Sequence, residues 1–298
     1  MNNEAVLKLS NLGCSIAKNE PLSKHTSFKI GGAADYFIEI PSKNALLEFL
    51  NLNITFYILG AGTNVLFSDG GFRGTVIKLT GEFLDCSAAG NKVSCGSGFS
   101  LQMLVNKTAE LGLSGLECCA GIPGTVGGAV FGNAGSKDMF ISDSIESVET
   151  IMWKVESGKW NERLLKKNEI NFKYRSSGLK NCIITKINFA LKNSDKNDIL
   201  KTISDSLEKR KILQPLNLPN AGCIFKNPKG QSAGKLIDLA GLKGKIIGSA
   251  KISEIHANFI VNTGNAKASD VLELIALAKK TVKEKFGVEL EEEIRIIK

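Results

Sequence analysis

Nineteen of the 30 glycines in this chain fall between Gly31 and Gly135, and that clustering limits the fold more than any other feature. Glycine inside a regular element costs roughly 0.5–1 kcal/mol relative to alanine. A dense run of it therefore marks backbone that turns sharply or lies close to something else. The stretch has no three-residue period, which excludes a collagen-like fibre, and its confinement to one region excludes a flexible composition throughout. With 298 residues, 43 % of them hydrophobic, the chain is globular and long enough for about two domains.

Two loops carry most of that density. The first, Leu59-Gly60-Ala61-Gly62-Thr63-Asn64-Val65-Leu66, follows an apolar strand. Its glycines permit a tight turn and let backbone amides approach an anionic group. It begins like a dinucleotide fingerprint, but Val65 stands where the third glycine belongs and no clean helix pattern follows. A Rossmann site is therefore excluded, and the absence of Gly-x-x-x-x-Gly-Lys-Ser/Thr excludes a P-loop. The second loop, Ala120 to Gly135, holds Gly121, Ile122, Pro123, Gly124, Gly127, Gly128, Ala129 and Asn133 among its residues. Six glycines in fifteen residues suit a backbone cradle for a cofactor's pyrophosphate; a tight chain crossing packed on glycine is the alternative.

The formal net charge is +8, and residues 200–298 supply most of it, with 17 basic against 11 acidic residues. The longest basic run is Lys209-Arg210-Lys211 and aromatics make up 7 %, so nucleic-acid binding is not expected. A small anionic ligand on the C-terminal part fits better, and a solvated basic surface fits equally on charge alone. No apolar run approaches the ~20 residues of a membrane helix, and Met1-Asn2-Asn3-Glu4 does not open a signal peptide. Seven cysteines without a Cys-x-x-Cys read as reduced thiols, giving a cytoplasmic expectation. Two histidines far apart in sequence argue against a metal site.

Pattern divides the chain into a short N-terminal segment (1–25), a glycine-rich region of short strands (26–191), and a C-terminal part (198–298). Strands are expected at Asp35–Ile40, Thr55–Leu59, Thr75–Leu79, Lys92–Cys95, Ser147–Val155 and Asn181–Leu191, with helices at Ser42–Leu50 and Ser100–Leu111, each opened by a capping serine. The C-terminal part reads as helices Ile199–Ile212, Ala233–Ala240 and Ser269–Phe286, the last capped by Ser269. Strands lie between and after these helices, at Ile246–Gly248, Asn258–Val261 and Glu293–Ile297. The class is α+β with separate sub-assemblies.

Seven motifs in order then resemble one family. Thr26-Ser27-Phe28-Lys29-Ile30-Gly31-Gly32 and the two glycine loops are followed by Tyr174-Arg175-Ser176-Ser177, Asn220-Ala221-Gly222-Cys223-Ile224-Phe225-Lys226-Asn227-Pro228, His256-Ala257-Asn258-Phe259-Ile260-Val261-Asn262 and Leu290-Glu291-Glu292-Glu293-Ile294-Arg295. Together they resemble the UDP-N-acetylenolpyruvoylglucosamine reductases over nearly the whole chain. The short span between Arg175 and Cys223 resembles the subtype lacking an extra substrate-covering loop. The resemblance implies a two-lobed FAD-binding region of the vanillyl-alcohol-oxidase (PCMH) type, followed by an α+β substrate-binding domain. It implies tightly bound FAD held by Gly60, Ala61, Gly62, Thr63, Asn64, Leu66, Gly121, Ile122, Pro123, Gly124, Gly127, Gly128, Ala129 and Asn133. It also implies NADPH as transient reductant, the substrate UDP-N-acetylglucosamine enolpyruvate, and a monomer.

The family chemistry places a hydride on the enolpyruvyl C3 and a proton on C2, which calls for a cation and an acid nearby. By resemblance Arg175 is the stabilising cation; its planar fork suits a carboxylate or enolate better than lysine. Glu293 is the assisting acid, and strand alternation puts Glu291 with it on one face and Glu292 on the other. Glu292 stands where the family has proline. Cys223 stands where most members carry the proton-donating serine. A thiol, with reference pKa ~8.5, gives up its proton more readily than an alcohol; a buried inert thiol is the bland alternative. Lys226 and Asn227 match positions near the sugar nucleotide, and His256 a polar position near the enolpyruvyl group, a satisfied structural histidine being the alternative; Tyr174 is a further substrate-binding candidate. A different flavoprotein on the same FAD fold, or a basic binding protein, are the competing readings.

Overall fold

The computed structural model describes residues 1–136, 139–154 and 158–298. Its seven α-helices are α1 (Asn3–Asn11), α2 (Lys43–Leu50), α3 (Leu101–Glu110), α4 (Val126–Phe131), α5 (Lys196–Leu213), α6 (Ala233–Leu239) and α7 (Ala268–Phe286). Ser42 and Ser100 cap α2 and α3 as the sequence suggests, each Oγ accepting an N–H three residues on. Two expectations need correction. Ser269 does not cap α7, which starts one residue earlier. Its first amides, Ala268 N–H and Ser269 N–H, donate to the carboxylate of Asp69 at 2.7 and 3.0 Å. The second glycine loop is also not wholly irregular, because Val126–Phe131 forms α4 behind a Thr125 cap. Its Val126 and Val130 are buried, and that burial outweighs the propensity cost of Gly127 and Gly128.

The chain divides into two compact units, each built from separated stretches. The first comprises Met1–Ala17, Tyr36–Gly60 and Thr75–Glu208; the second comprises Lys18–Asp35, Ala61–Gly74 and Lys209–Lys298. The first unit holds an antiparallel five-stranded sheet in the order Lys159–Lys166, Ile145–Lys154, Cys182–Ala190, Lys92–Gly96, Cys86–Ala89. The expected strand Ser147–Val155 begins earlier, and its end at Val155 lies outside the described residues. Each face of the sheet covers a core: Val93, Cys95, Val148, Ile187 and Phe189 pack with α3 and α4, while Ile151 and Ile183 pack with α2.

A bulge makes that sharing possible. Glu149 pairs with Lys186 and Thr150 with Ile184, so Thr185 is an extra residue on its strand. Without it Ile183 and Ile187, four apart, would point to the same face. The freed Thr185 carbonyl accepts the Ser97 N–H at 2.9 Å, which fixes the segment against which α4 packs.

In the second unit an antiparallel sheet runs Asn220–Cys223, Phe259–Asn262, Ala250–Ile252, Ile246–Ile247. The α6 and α7 residues Ile237, Val271, Leu274 and Val282 share its core with Phe28, Ile30 and Leu66. The last strand is shorter than expected, Arg295–Ile297, and pairs in parallel with Val65–Phe67. Glu293 and Ile294 are drawn away from it, both N–H groups donating to Ile224 O at 2.8 and 3.3 Å. Among the described residues no helix is long and apolar enough to cross a membrane.

Candidate active site

In the first unit the glycine-rich loops meet at one threonine. Thr125 Oγ1 accepts the Gly128 N–H at 3.2 Å, and a Cβ on Gly60 would lie 2.7 Å from the same oxygen. Gly127 and Gly128 are glycine for different reasons. Gly127 is buried, its N–H donates to Ser97 O at 2.8 Å, and a Cβ there would stand 2.7 Å from Ser97 Cβ. Gly128 is exposed, and its Cβ would meet only Thr125 Oγ1 at 3.2 Å. Gly127 thus lets α4 pack on the sheet, whereas Gly128 presents bare backbone outward. Gly121 and Gly124 adopt φ of +72° and +151°, open to glycine at little cost. Gly121 N–H is held by Gln102 Oε1 at 2.9 Å and Ile122 N–H by Cys119 O at 3.0 Å. Pro123 is exposed and Ala129 buried.

Two buried side-chain oxygens beside these loops have no hydrogen-bond partner: Asn133 Oδ1 and Ser97 Oγ. Such orphans are uncommon and costly in a protein interior. A polar ligand such as a cofactor's polar chain would satisfy both, and Gly128 exposes bare backbone on the same segment as Asn133. Ser97 carried no motif; its only signal was its place between Gly96 and Gly98.

Tyr174 and Arg175 occupy the corner of a turn closed by Lys173 N–H to Ser176 O and Ser176 N–H to Lys173 O, at 2.8 and 3.1 Å. Three hydrogen bonds fasten the turn to the end of the second glycine segment. Asn133 Nδ2 donates to Lys173 O (3.0 Å), Ser177 Oγ to Phe131 O (2.9 Å) and Arg175 Nη1 to Gly135 O (3.3 Å). Arg175 has φ +55°, an uncommon left-handed conformation for a residue with a side chain. Its guanidinium lies 5.2 Å from the Tyr174 ring centroid, within cation–π range. The structure therefore brings Gly60, the 121–133 segment, Tyr174 and Arg175 into one neighbourhood.

The second unit gathers the rest. Gly62, at φ +65°, passes under the Thr26-Ser27 motif, where a Cβ would lie 2.1 Å from His25 O. Ser27 N–H donates to Gly62 O at 3.1 Å, and Ser27 Oγ donates to Asn220 O at 2.7 Å. Ala61 is exposed and Thr63 half-buried, whereas Leu66 is 1 % exposed in the core, so only its backbone can face a ligand. Asn64 turns its side chain to the catalytic candidates, Nδ2 donating to Glu293 O at 3.2 Å. Glu293 N–H in turn donates to the carbonyl of Ile224, the residue after Cys223.

Asn258, to which the motif pattern assigns no individual role, holds this segment from within. It is 3 % exposed; its Oδ1 accepts the Phe225 N–H and its Nδ2 donates to Phe225 O, at 2.9 and 2.8 Å. Its own carbonyl accepts the Ile224 N–H at 2.8 Å. The amide thus replaces a missing strand partner just after the bulge between Asn220 and Cys223, which pair with Val261 and Phe259. His256 Nδ1 accepts the Asn258 N–H at 3.2 Å, which leaves Nε2 to carry the proton, and its ring meets Phe259 edge-on at 4.9 Å. Burial lowers the His256 pKa below the usual histidine value, a bond to its own backbone opposing and Lys243's charge assisting. Lys226 pairs with Glu291, and exposed Asn227 accepts the Ala233 N–H at 3.0 Å. Glu291 is exposed; Glu292 and Glu293 are half-buried. Glu292 meets Lys279 of α7 at 2.7 Å, which ties down the backbone just before Glu293. Burial raises the Glu292 carboxyl, but the Lys279 hydrogen bond, a backbone bond and the lysine charge leave it lowered. Among the described residues no group of three or more potential ligands could hold a metal ion.

Comparison with known proteins fits this arrangement. Residues 43–156 match the family model of an FAD binding domain, and residues 214–297 match that of the UDP-N-acetylenolpyruvoylglucosamine reductase C-terminal domain. The chain is 42 % identical to UDP-N-acetylenolpyruvoylglucosamine reductase 2 of Symbiobacterium thermophilum, over 94 % of this chain and 92 % of the relative. It is 42 % identical to the reductase of Lachnoclostridium phytofermentans over 100 % and 98 %. The crystal structure of the Thermus caldophilus reductase superposes with a TM-score of 0.82 at 37 % identity, covering 96 % of this chain and 99 % of that one. An α+β protein with an FAD-binding domain, the chain belongs to the UDP-N-acetylenolpyruvoylglucosamine reductase family of oxidoreductases.

Proposed function

We propose that this protein reduces the enolpyruvyl group of UDP-N-acetylglucosamine enolpyruvate to give UDP-N-acetylmuramate, a peptidoglycan precursor, in the cytoplasm, as a monomer, with NADPH as electron source. The observation that carries this reading is the tie between Glu293 and the Cys223 segment through Ile224 O, with Asn64 holding the Glu293 carbonyl. FAD, when bound, supplies hydride chemistry. Backbone of Gly60, Ala61, Gly62, Thr63, Asn64 and Leu66 and of Gly121, Ile122, Pro123, Gly124, Gly127, Gly128 and Ala129, with the Asn133 side chain, would hold it.

Once C3 of the substrate has gained hydride, C2 carries enolate-like charge beside a carboxylate. Cys223 donates the proton to C2 through its thiol, and a thiol needs less assistance for this than an alcohol. Arg175, its guanidinium anchored by Gly135 O, stabilises the charge on the carboxylate side. Glu293 assists from a backbone position fixed at both its N–H and its carbonyl. Tyr174, Lys226, Asn227 and His256 bind the sugar nucleotide and exclude water. His256 acts as a neutral Nε2–H donor.

Two half-reactions test the assignment. In the wild type NADPH bleaches the flavin absorbance and the enolpyruvyl substrate restores it. Cys223→Ala should leave bleaching intact and slow substrate-driven recovery about 10²–10⁴-fold, the usual contribution of a positioned acid; Cys223→Ser should recover most of that loss. Recovery at the wild-type rate in Cys223→Ala removes the thiol from the mechanism.

A further inference from the structure

Cys86 and Cys95 stand directly opposite each other on the antiparallel strands Cys86–Ala89 and Lys92–Gly96. The flanking bond, Gly96 N–H to Asp85 O at 2.8 Å, shows that they form the non-hydrogen-bonded kind of pair. Cα atoms in such a pair lie ~4.5 Å apart, inside the ~4.4–6.8 Å range that a disulfide spans. Both side chains point to the same face, where Cys95 is fully buried in the core and Cys86 packs half-buried at its edge. We propose that Cys86 and Cys95 form a reversible cross-strand disulfide when the protein meets hydrogen peroxide, making this pair a redox modification site of the FAD-binding region.

The roles of the two sulfurs follow from their surroundings. A hydrogen bond from the Cys95 thiol lowers the Cys86 pKa to about 7, against burial and with help from the Lys107 charge. Lys107 Nζ also donates to the Cys86 carbonyl at 2.8 Å, which keeps the cation beside the strand. The same pairing and burial push Cys95 well above the usual thiol value. Cys86, half-buried at the edge of the core, is therefore the thiolate-rich attacker and Cys95 the fully buried resolving thiol. The Cys86 thiolate attacks one peroxide oxygen, the O–O bond breaks, and hydroxide leaves, giving a sulfenic acid on Cys86. Hydroxide takes the Cys95 proton. The Cys95 sulfur then attacks Cys86 sulfur, the S–O bond breaks, and the second oxygen leaves as hydroxide, which becomes water by taking from solvent the proton that Cys86 released on ionising. Two thiols lose two electrons and two protons, and one peroxide becomes two waters.

The other cysteines are less suited. Burial raises the thiols of Cys14 and Cys182. Cys118 and Cys119 lie 3.8 Å apart at sulfur, but both are buried and adjacent in sequence within a tight turn. Cys223 belongs to the proposed active site and has no cysteine opposite it in its strand pairing, where it faces Phe259.

The test is peptide mapping of the holoenzyme after stoichiometric hydrogen peroxide and alkylation of remaining thiols. A peptide joining Cys86 to Cys95, lighter by two hydrogens and released by dithiothreitol, is the expected result. In Cys95→Ser, given a second equivalent of peroxide, Cys86 should instead progress to the sulfinic acid. Cys86 sulfinic acid in the wild type beside an alkylatable Cys95 overturns the proposal. So does oxidation of the Cys118–Cys119 pair ahead of Cys86. The wild-type map decides the matter even where the serine variant fails to fold.

Discussion

Gly127 and Gly128 are adjacent residues of α4 whose replacement by alanine should have opposite effects. At Gly127 the added Cβ would lie 2.7 Å from Ser97 Cβ and 2.9 Å from Ser97 O, both on a buried strand end that cannot give way. Overpacking of that kind costs about 1–3 kcal/mol, so the Gly127→Ala apoprotein should melt earlier. At Gly128 the only neighbour is Thr125 Oγ1 at 3.2 Å, on an exposed face. A shift of a few tenths of an ångström relieves it, and the gain in helix propensity is about 0.5–1 kcal/mol. The Gly128→Ala apoprotein should therefore be as stable as wild type or slightly more so. If Gly128 backbone faces the cofactor, the same methyl intrudes on it. A penalty of about 1–3 kcal/mol then weakens FAD binding roughly 5- to 150-fold. Thermal melting of the apoproteins and fluorescence titration with FAD separate the two effects. Wild-type FAD affinity in Gly128→Ala would refute the idea that bare backbone at this position serves the cofactor.

Two further substitutions probe the second unit. Asp69→Asn removes the charge that accepts the first two amides of α7, and should cost about 1 kcal/mol in denaturant unfolding. Burial raises the Asp69 pKa, but the bonds from Ala268 and Ser269 and the Lys267 charge leave it lowered. Its contribution is therefore complete above ~3.9 and lost as pH falls through the lower folded value; an unchanged acid limb in Asp69→Asn contradicts this. His256 is lowered by burial, so the unfolded state binds its proton more readily. Stability from this site is present above ~6.5 and declines as pH falls toward the folded pKa. His256→Gln should flatten that decline, measured by urea midpoints across the acid range.

Local chemistry was readable in the sequence, and long-range completion was not. Ser42 and Ser100 announced their helices because a cap and its amides lie three residues apart. The cap of α7 could not be seen that way, because Asp69 lies 199 residues from Ala268. Ser269 occupied the local slot, but the distant carboxylate took both amides. The helix α4 was hidden by glycines whose cost is offset by burying Val126 and Val130. The extra residue Thr185 leaves no local mark either, since a bulge is defined by the partner strand. In the candidate site, composition located the glycine loops, and the resemblance singled out Arg175, Cys223 and Glu293. Neither indicated Asn258 or Ser97. Their roles depend on a buried amide meeting a strand bulge and on a hydroxyl left without a partner.

The second unit is made of three separated stretches, and this has a consequence for how the protein is made on the ribosome. Val65–Phe67 leaves the exit tunnel early, yet its parallel partner is Arg295–Ile297. Phe28, Ile30 and Leu66, which are buried with α6 and α7, emerge early too. During synthesis these apolar residues must wait, exposed, while most of the chain is still being translated, which makes them natural clients for a chaperone. Residues 214–297, although they match one family model, lack the early stretches that complete their core and cap their longest helix. Expressed alone, that segment should aggregate. A fragment that restores 18–35 and 61–74 in trans should rescue it.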